Sequence, residues 1–233
     1  MRDQFVEETL KSTRSPLFVM IRAYGKEIPI TLQTLLKPEH TALLIVDVQN
    51  DYWNEEDNRL FPDFLKRLRN TIEAAKEAGV FVVYIQDTLL PGRKSDSAAW
   101  IRHYMVSSSL ENPESVPEQA VEGTWGHQFV KDIEPDATVL VVKKFRSSGF
   151  AGTSLDLLLR SNNIKTCAIT GVMTYGCVES TCRDASNEYF VVVLRDCVAA
   201  PRKDLHEACL KIMTYRYDTA DSEQVIRIWE GRK

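Results

Sequence analysis

The sequence predicts an α/β protein: a doubly wound, three-layer αβα sandwich built on a mostly parallel sheet. Two observations carry this expectation. Its short apolar runs are continuous rather than alternating, as strands are when both sheet faces are covered. Between those runs lie segments with helical periodicity, so strand and helix alternate along the chain. At 233 residues the chain is large for one domain and short for two, which suits an open sheet with one core.

Residues 1–38 form an arm of mixed character, and 39–233 are expected to make up the α/β domain. The first strand is predicted over Leu43–Val46. A helix follows, with Phe61, Phe64, Leu65, Leu68, Ile72 and Ala75 on one face, Pro62 near its start and Gly79 just past its end. Val80–Ile85 reads as the second strand. Residues 91–128 then hold Pro, Gly, Ser and Trp over a length unusual for a plain connection. They read as a lid over a site, with a surface insertion as the alternative.

Thr138–Val142 reads as the third strand. Thr153 caps a helix that turns Leu155, Leu158 and Leu159 inward. Cys167–Thr170 is the fourth strand, followed by a helix from about Cys177 that buries Val178, Cys182, Ala185 and Tyr189. Phe190–Leu194 is the fifth, and further helices follow Pro201 and Asp221.

Composition narrows the function classes. Hydrophobic residues make up 44%, charged residues 27%, and the formal net charge is −4. That balance is globular, and without a basic stripe neither nucleic acid nor anionic membrane is an expected partner. No apolar run approaches the ~18 residues of a membrane span. Asp3, Glu7 and Glu8 precede any apolar stretch, which argues against a signal peptide. The five cysteines, an odd number with no C-x-x-C pair, fit reduced thiols in a cytoplasm. The four histidines are scattered, so spacing supports no metal site, and no cofactor is expected.

Ligands of open parallel sheets bind beyond the carboxyl ends of the strands. Asp47 ends the first strand, Lys143 and Lys144 the third, and the fourth runs through Gly171-Val172-Met173-Thr174-Tyr175-Gly176 into Cys177. An acid, a base and a thiol therefore reach one edge of the sheet. A helix start and a nearby lysine should both lower the thiol pKa of Cys177. Each residue also has a plain structural reading: a strand-end cap for Asp47, a lysine emerging into solvent, a small buried hydrophobe for the cysteine. By pattern alone Lys143 and Lys144 are equivalent.

Three segments together resemble the isochorismatase-like hydrolases: LLIVDVQND around Asp47, KFRSSGFAGT from Lys144, and GVMTYGCVESTCRD over Gly171–Asp184. The likeness runs from about residue 39 to 230. The family pattern K-x-x-x-S-x-F selects Lys144, since Ser148 and Phe150 follow at the right spacing. The resemblance implies a catalytic triad of Asp47, Lys144 and Cys177. It also implies a cis peptide before Met173 and an oxyanion hole from the backbone N–H groups of Met173 and Cys177. Assembly into dimers or tetramers is a further implication.

Branches of that family differ in chemistry. Isochorismatases lack the cysteine that stands here at 177. Nicotinamidases carry an Asp-x-His metal cluster, and Gln86-Asp87-Thr88-Leu89-Leu90-Pro91 has no histidine. What remains is the branch that cleaves small linear amides, ureides and N-carbamoyl compounds; Cys-Val-Glu-Ser-Thr-x-Arg-Asp and Gly123-Thr124-Trp125 are similar to ureidoacrylate amidohydrolases. Asn50, Tyr52, Trp125, Phe150 and Tyr175 are the candidate substrate contacts, and Arg93 could clamp a carboxylate. Three rival readings fit parts of the sequence: a C-x₅-R phosphate loop over Cys177–Arg183, a redox-sensing thiol, and a non-catalytic binding protein on the same fold.

Overall fold

The computed structural model describes residues 20–232. Residues 1–19 of the expected arm, including Asp3, Glu7 and Glu8, lie outside the described residues. The rest of the arm holds a hairpin, β1 (Met20–Ala23) and β2 (Lys26–Pro29), and the one-turn helix α1 (Leu32–Leu35). The hairpin was not anticipated, because four-residue strands leave almost no periodicity to read.

A six-stranded sheet follows, in the order β5-β4-β3-β6-β7-β8 with every neighbouring pair parallel. Its strands are β3 (Thr41–Val46), β4 (Phe81–Asp87), β5 (Leu140–Lys144), β6 (Thr166–Val172), β7 (Phe190–Ala199) and β8 (Asp218–Ala220). The predicted α/β architecture is thus observed. Every residue of β3 and β6 is buried, which is why their runs carry no charge. Strand β5 lies at the edge: Leu140 and Val141 are exposed, and the strand starts two residues later than expected. The last strand, β8, has three residues and left no readable signal.

Helices cover both faces. On one, α3 (Phe64–Glu77) and α8 (Ser222–Trp229) bring Phe64, Leu68, Ile72, Val225 and Trp229 against Leu43 and Ile45. On the other, α5 (Leu155–Ser161), α6 (Glu179–Ala185) and α7 (Lys203–Arg216) bring Leu155, Leu159, Cys182 and Met213 against Ala42, Leu44 and Val46. Fully burying one such Leu or Ile contributes about 1.5–3 kcal/mol. The helix read around Pro62 is two helices, α2 (Glu55–Leu60) and α3. Residues 91–128 contain one α-helix, α4 (Ala98–Ser107), capped by Ser97 Oγ on the Trp100 N–H at 3.1 Å, and two 3-10 turns, Pro91–Arg93 and Pro113–Ser115.

From β3 the chain steps outward through β4 to β5, then crosses back to β6 on the other side of β3. The switch point therefore lies between β3 and β6, where open sheets form their binding crevices. Gly171 permits it. At φ +112° it passes so close to β3 that a Cβ there would stand 2.1 Å from the Val46 carbonyl oxygen.

Candidate active site

Four strand ends supply the site. Lys144, the last residue of β5, is completely buried. Its ammonium lies 2.8 Å from Asp47 Oδ2, 2.9 Å from Asp87 Oδ1 and 3.3 Å from Cys177 Sγ. The structure thus brings Asp47, Lys144 and Cys177 together. It also settles which lysine faces the thiol: Lys143 points the other way and meets Glu122 at 2.6 Å in solvent. Successive strand residues face opposite sides, and only one of the pair can turn inward.

Asp47 follows β3 in the left-handed region, φ +53°, anchored by its N–H on the Ile85 carbonyl at 3.0 Å. A non-glycine residue there costs on the order of 1 kcal/mol, and this one aims a carboxylate under the lysine. Apart from the lysine and the thiol, its oxygens have no partner among the described residues. Burial pushes its pKa up to about 7, Lys144 pulling down and Asp87 pushing up.

Cys177 sits in a π-type turn, Thr174–Val178, between β6 and α6. The Val172–Met173 peptide before that turn is cis, as the resemblance implied. The Met173 carbonyl accepts the Gly176 N–H at 2.8 Å and the Val178 N–H at 3.3 Å, which folds the turn back on itself. Thr181 ties the nucleophile turn to the loop after β5: its Oγ1 donates to the Cys177 carbonyl at 2.7 Å and accepts the Gly149 N–H at 3.0 Å.

The expected lowering of the thiol pKa is not what the surroundings produce. Burial pushes the Cys177 thiol well above its usual value; Lys144 opposes this, but Asp47 and Asp87 add to it. Cys177 is only partly buried as a residue, while its sulfur lies inward among charged groups. Burial also disfavours the Lys144 cation, but Asp47, Cys177 and Asp87 outweigh it and hold the ammonium charged.

Asp87 went unrecognised as a site residue. In the sequence it is marked only by its place at a strand end: it ends β4, as Lys144 ends β5 and Asp47 follows β3. Tyr52 donates to its Oδ2 at 2.5 Å. The Gln49 amide clamps its backbone, accepting the Asp87 N–H at 2.8 Å and donating to its carbonyl at 3.0 Å. Gln49 and Gln86 both donate to the His127 carbonyl at 2.8 Å, and Thr88 Oγ1 meets the His127 ring at 3.0 Å. His127 is a structural strut.

The other candidates separate. Tyr52 lines a cleft beside the cluster, with Asp87, Arg93, Trp100, Tyr104 and Gln119. Asn50 donates to the Trp125 carbonyl at 2.9 Å, and Trp125 is 69% exposed and does not line that cleft. Phe150 and Tyr175 pack with Cys177 against the core beneath α5–α7. Arg93 is engaged by Asp96 at 3.0 Å and by the Val116 carbonyl. Arg183, the arginine of the C-x₅-R spacing, pairs with Glu179 at 2.6 Å, so that spacing builds no anion cradle around the thiol. Among the described residues no trio of His, Cys, Asp or Glu is placed to hold a metal ion, and no helix is long and apolar enough to cross a membrane.

Residues 41–224 match the isochorismatase domain family model. The chain is 33% identical over 181 residues to ureidoacrylate amidohydrolase RutB of Agrobacterium fabrum, covering 72% of this chain and 78% of that protein. An isochorismatase-like hydrolase from Alkaliphilus metalliredigens superposes with a TM-score of 0.64 at 29% identity, over 82% of this chain and 99% of the other. N-carbamoylsarcosine amidase from Thermoplasma acidophilum superposes at 0.63 and 26% identity, over 79% and 97%. With that fold, that cluster at its switch point and these relatives, the chain belongs to the isochorismatase family.

Proposed function

We propose that the protein is an amidohydrolase in which Cys177 attacks the carbonyl of a small linear amide, ureide or N-carbamoyl compound and passes through a thioester. The coarser activity, hydrolysis of a non-peptide carbon–nitrogen bond, is that of its relatives, named ureidoacrylate amidohydrolase and N-carbamoylsarcosine amidase. One observation carries the finer reading: a fully buried lysine touching a thiol and two carboxylates at the switch point.

Burial and two carboxylates disfavour the Cys177 anion. Proton transfer to Asp47 therefore accompanies attack on the carbonyl, and Lys144 stays charged to stabilise the sulfur as it becomes anionic. The N–H groups of Met173 and Cys177 donate to the developing oxyanion; losing one such donor typically costs about 10²–10³ in rate. Asp47 returns its proton to the leaving ammonia or amine, then takes one from the water that cleaves the thioester. A cytoplasmic location, which suits five free cysteines, and the homo-oligomeric assembly implied by the family resemblance belong to the same proposal.

The test is ammonia release from a panel of small amides and ureides, with the acyl adduct on Cys177 sought by mass spectrometry after rapid acid quench. Cys177→Ala is expected to abolish both. Turnover retained in that variant ends the proposal.

A further inference from the structure

The charge around the cleft bears on what the substrate carries away from its scissile bond. Arg93 is the cation that lines the cleft, and it is committed: Asp96 lies 3.0 Å away, Glu118 3.8 Å, and the Val116 carbonyl accepts from it. Lys144 is enclosed by Asp47 and Asp87. Four carboxylates thus surround two cations. Arg146 donates to the Ser95 and Phe145 carbonyls and lies over the Trp100 ring at 5.7 Å, outside the cleft lining.

Asp87 keeps acceptor capacity. One oxygen takes the Lys144 ammonium, the other the Tyr52 hydroxyl, and its side chain remains 15% exposed. A carboxylate oxygen has room for a second donor, so each can still accept an N–H. Its backbone is fixed by Gln49 on both sides, so this acceptor is aimed rather than mobile.

We propose that Asp87 determines specificity: with Tyr52 it forms an acceptor face that takes an N–H of the substrate, and the cleft favours neutral or cationic small amides and ureides over carboxylate-bearing ones. This rests on the amidohydrolase reading of the same site. Two carboxylates share one lysine, so the cluster carries one negative charge in excess when both are ionised. A substrate carboxylate brought to within about 8 Å of that excess charge loses about an order of magnitude or more in affinity at the dielectric of a protein surface.

The experiment compares N-butylurea with 3-ureidopropanoate, close in size and differing in charge, by ammonia release from the full chain. kcat/KM is expected to favour the neutral urea by about tenfold or more. Asp87→Asn is expected to shift that ratio toward the acid by a similar factor, whatever it does to the absolute rate. A native preference for the acid, or a ratio unmoved by Asp87→Asn, overturns the proposal. Turnover of neither urea counts against the ureide reading alone. The charge proposal is then read by calorimetry on Cys177→Ala protein. Tighter binding of N-butylurea upholds it; equal or tighter binding of the acid, or no binding of either, overturns it.

Discussion

Asp87 and Lys144 are register partners across β4 and β5, and their side chains meet at 2.9 Å. The pairing of two strand ends thus places a carboxylate on the lysine that also holds Asp47 and Cys177. Lys144 is the sole cation in contact with both carboxylates among the described residues.

Lys144→Met should therefore leave Asp47 and Asp87 buried against each other without their counterion. Breaking a buried ion pair from one side costs about 3–5 kcal/mol. Urea denaturation at pH 8 is expected to show a loss of that size. The loss should shrink at pH 5, where protonating a carboxylate relieves the repulsion.

The pKa of Asp47, pushed up to about 7 from 3.8, sets two opposite pH trends. A raised carboxylate stabilises the fold below its unfolded value, and that contribution is lost as pH rises through 7. Activity runs the other way, because Asp47 must be ionised to accept the thiol proton. The acidic limb of kcat/KM is expected near pH 7. Asp87→Asn removes a charge that raises Asp47 and should move the limb to lower pH, read from rates between pH 5 and 9.

Thr181→Val keeps the shape of the side chain but removes the bridge between Cys177 and Gly149. The buried Gly149 N–H is left without its acceptor, at a cost of about 1–3 kcal/mol. The nucleophile turn loses its tie to the loop following Lys144. A fall in kcat larger than any change in KM is the expected kinetic signature.

Gly171→Ala should fail to form the native sheet, since its Cβ would lie 2.1 Å from the Val46 oxygen at a φ of +112°. Loss of soluble protein, or a large drop in thermal midpoint, is the expected result. Gly231, with a positive φ but open space around it, should tolerate alanine far better.

The cleft beside the cluster has a volume of only about 20 Å³, room for about one water molecule. A substrate can enter only if part of its wall moves, and Trp100 and Tyr104 of α4 form that wall. Hydrogen exchange on Cys177→Ala protein should show amides of residues 98–107 slowing on ligand binding, with β3 and β6 unchanged. Equal protection with and without ligand would rule out α4 as the moving part.

Much of this was legible in the sequence. Continuous apolar runs gave the five longer strands because two buried faces demand them, and the strand-end rule pointed to Asp47, the Lys143–Lys144 pair and Cys177, the family resemblance choosing Lys144. What escaped had physical causes. Strands β1, β2 and β8 are too short to show a period. The edge position of β5 mixes exposed and buried residues and blurs its start. The Cys177 pKa was read from one lysine and a helix end, while burial and two carboxylates dominate it. Asp87 stood in plain view, but its role comes from pairing with a residue 57 positions away.

Each of four neighbouring strands, β5, β4, β3 and β6, delivers one part of the site at or just beyond its end. Slipping any one of them by a single residue would turn its contribution to the opposite face. A misaligned sheet could still bury much apolar surface, yet it would be chemically silent. Turnover by this protein is accordingly a readout of correct strand alignment, and a refolding assay that follows activity would count only correctly registered molecules.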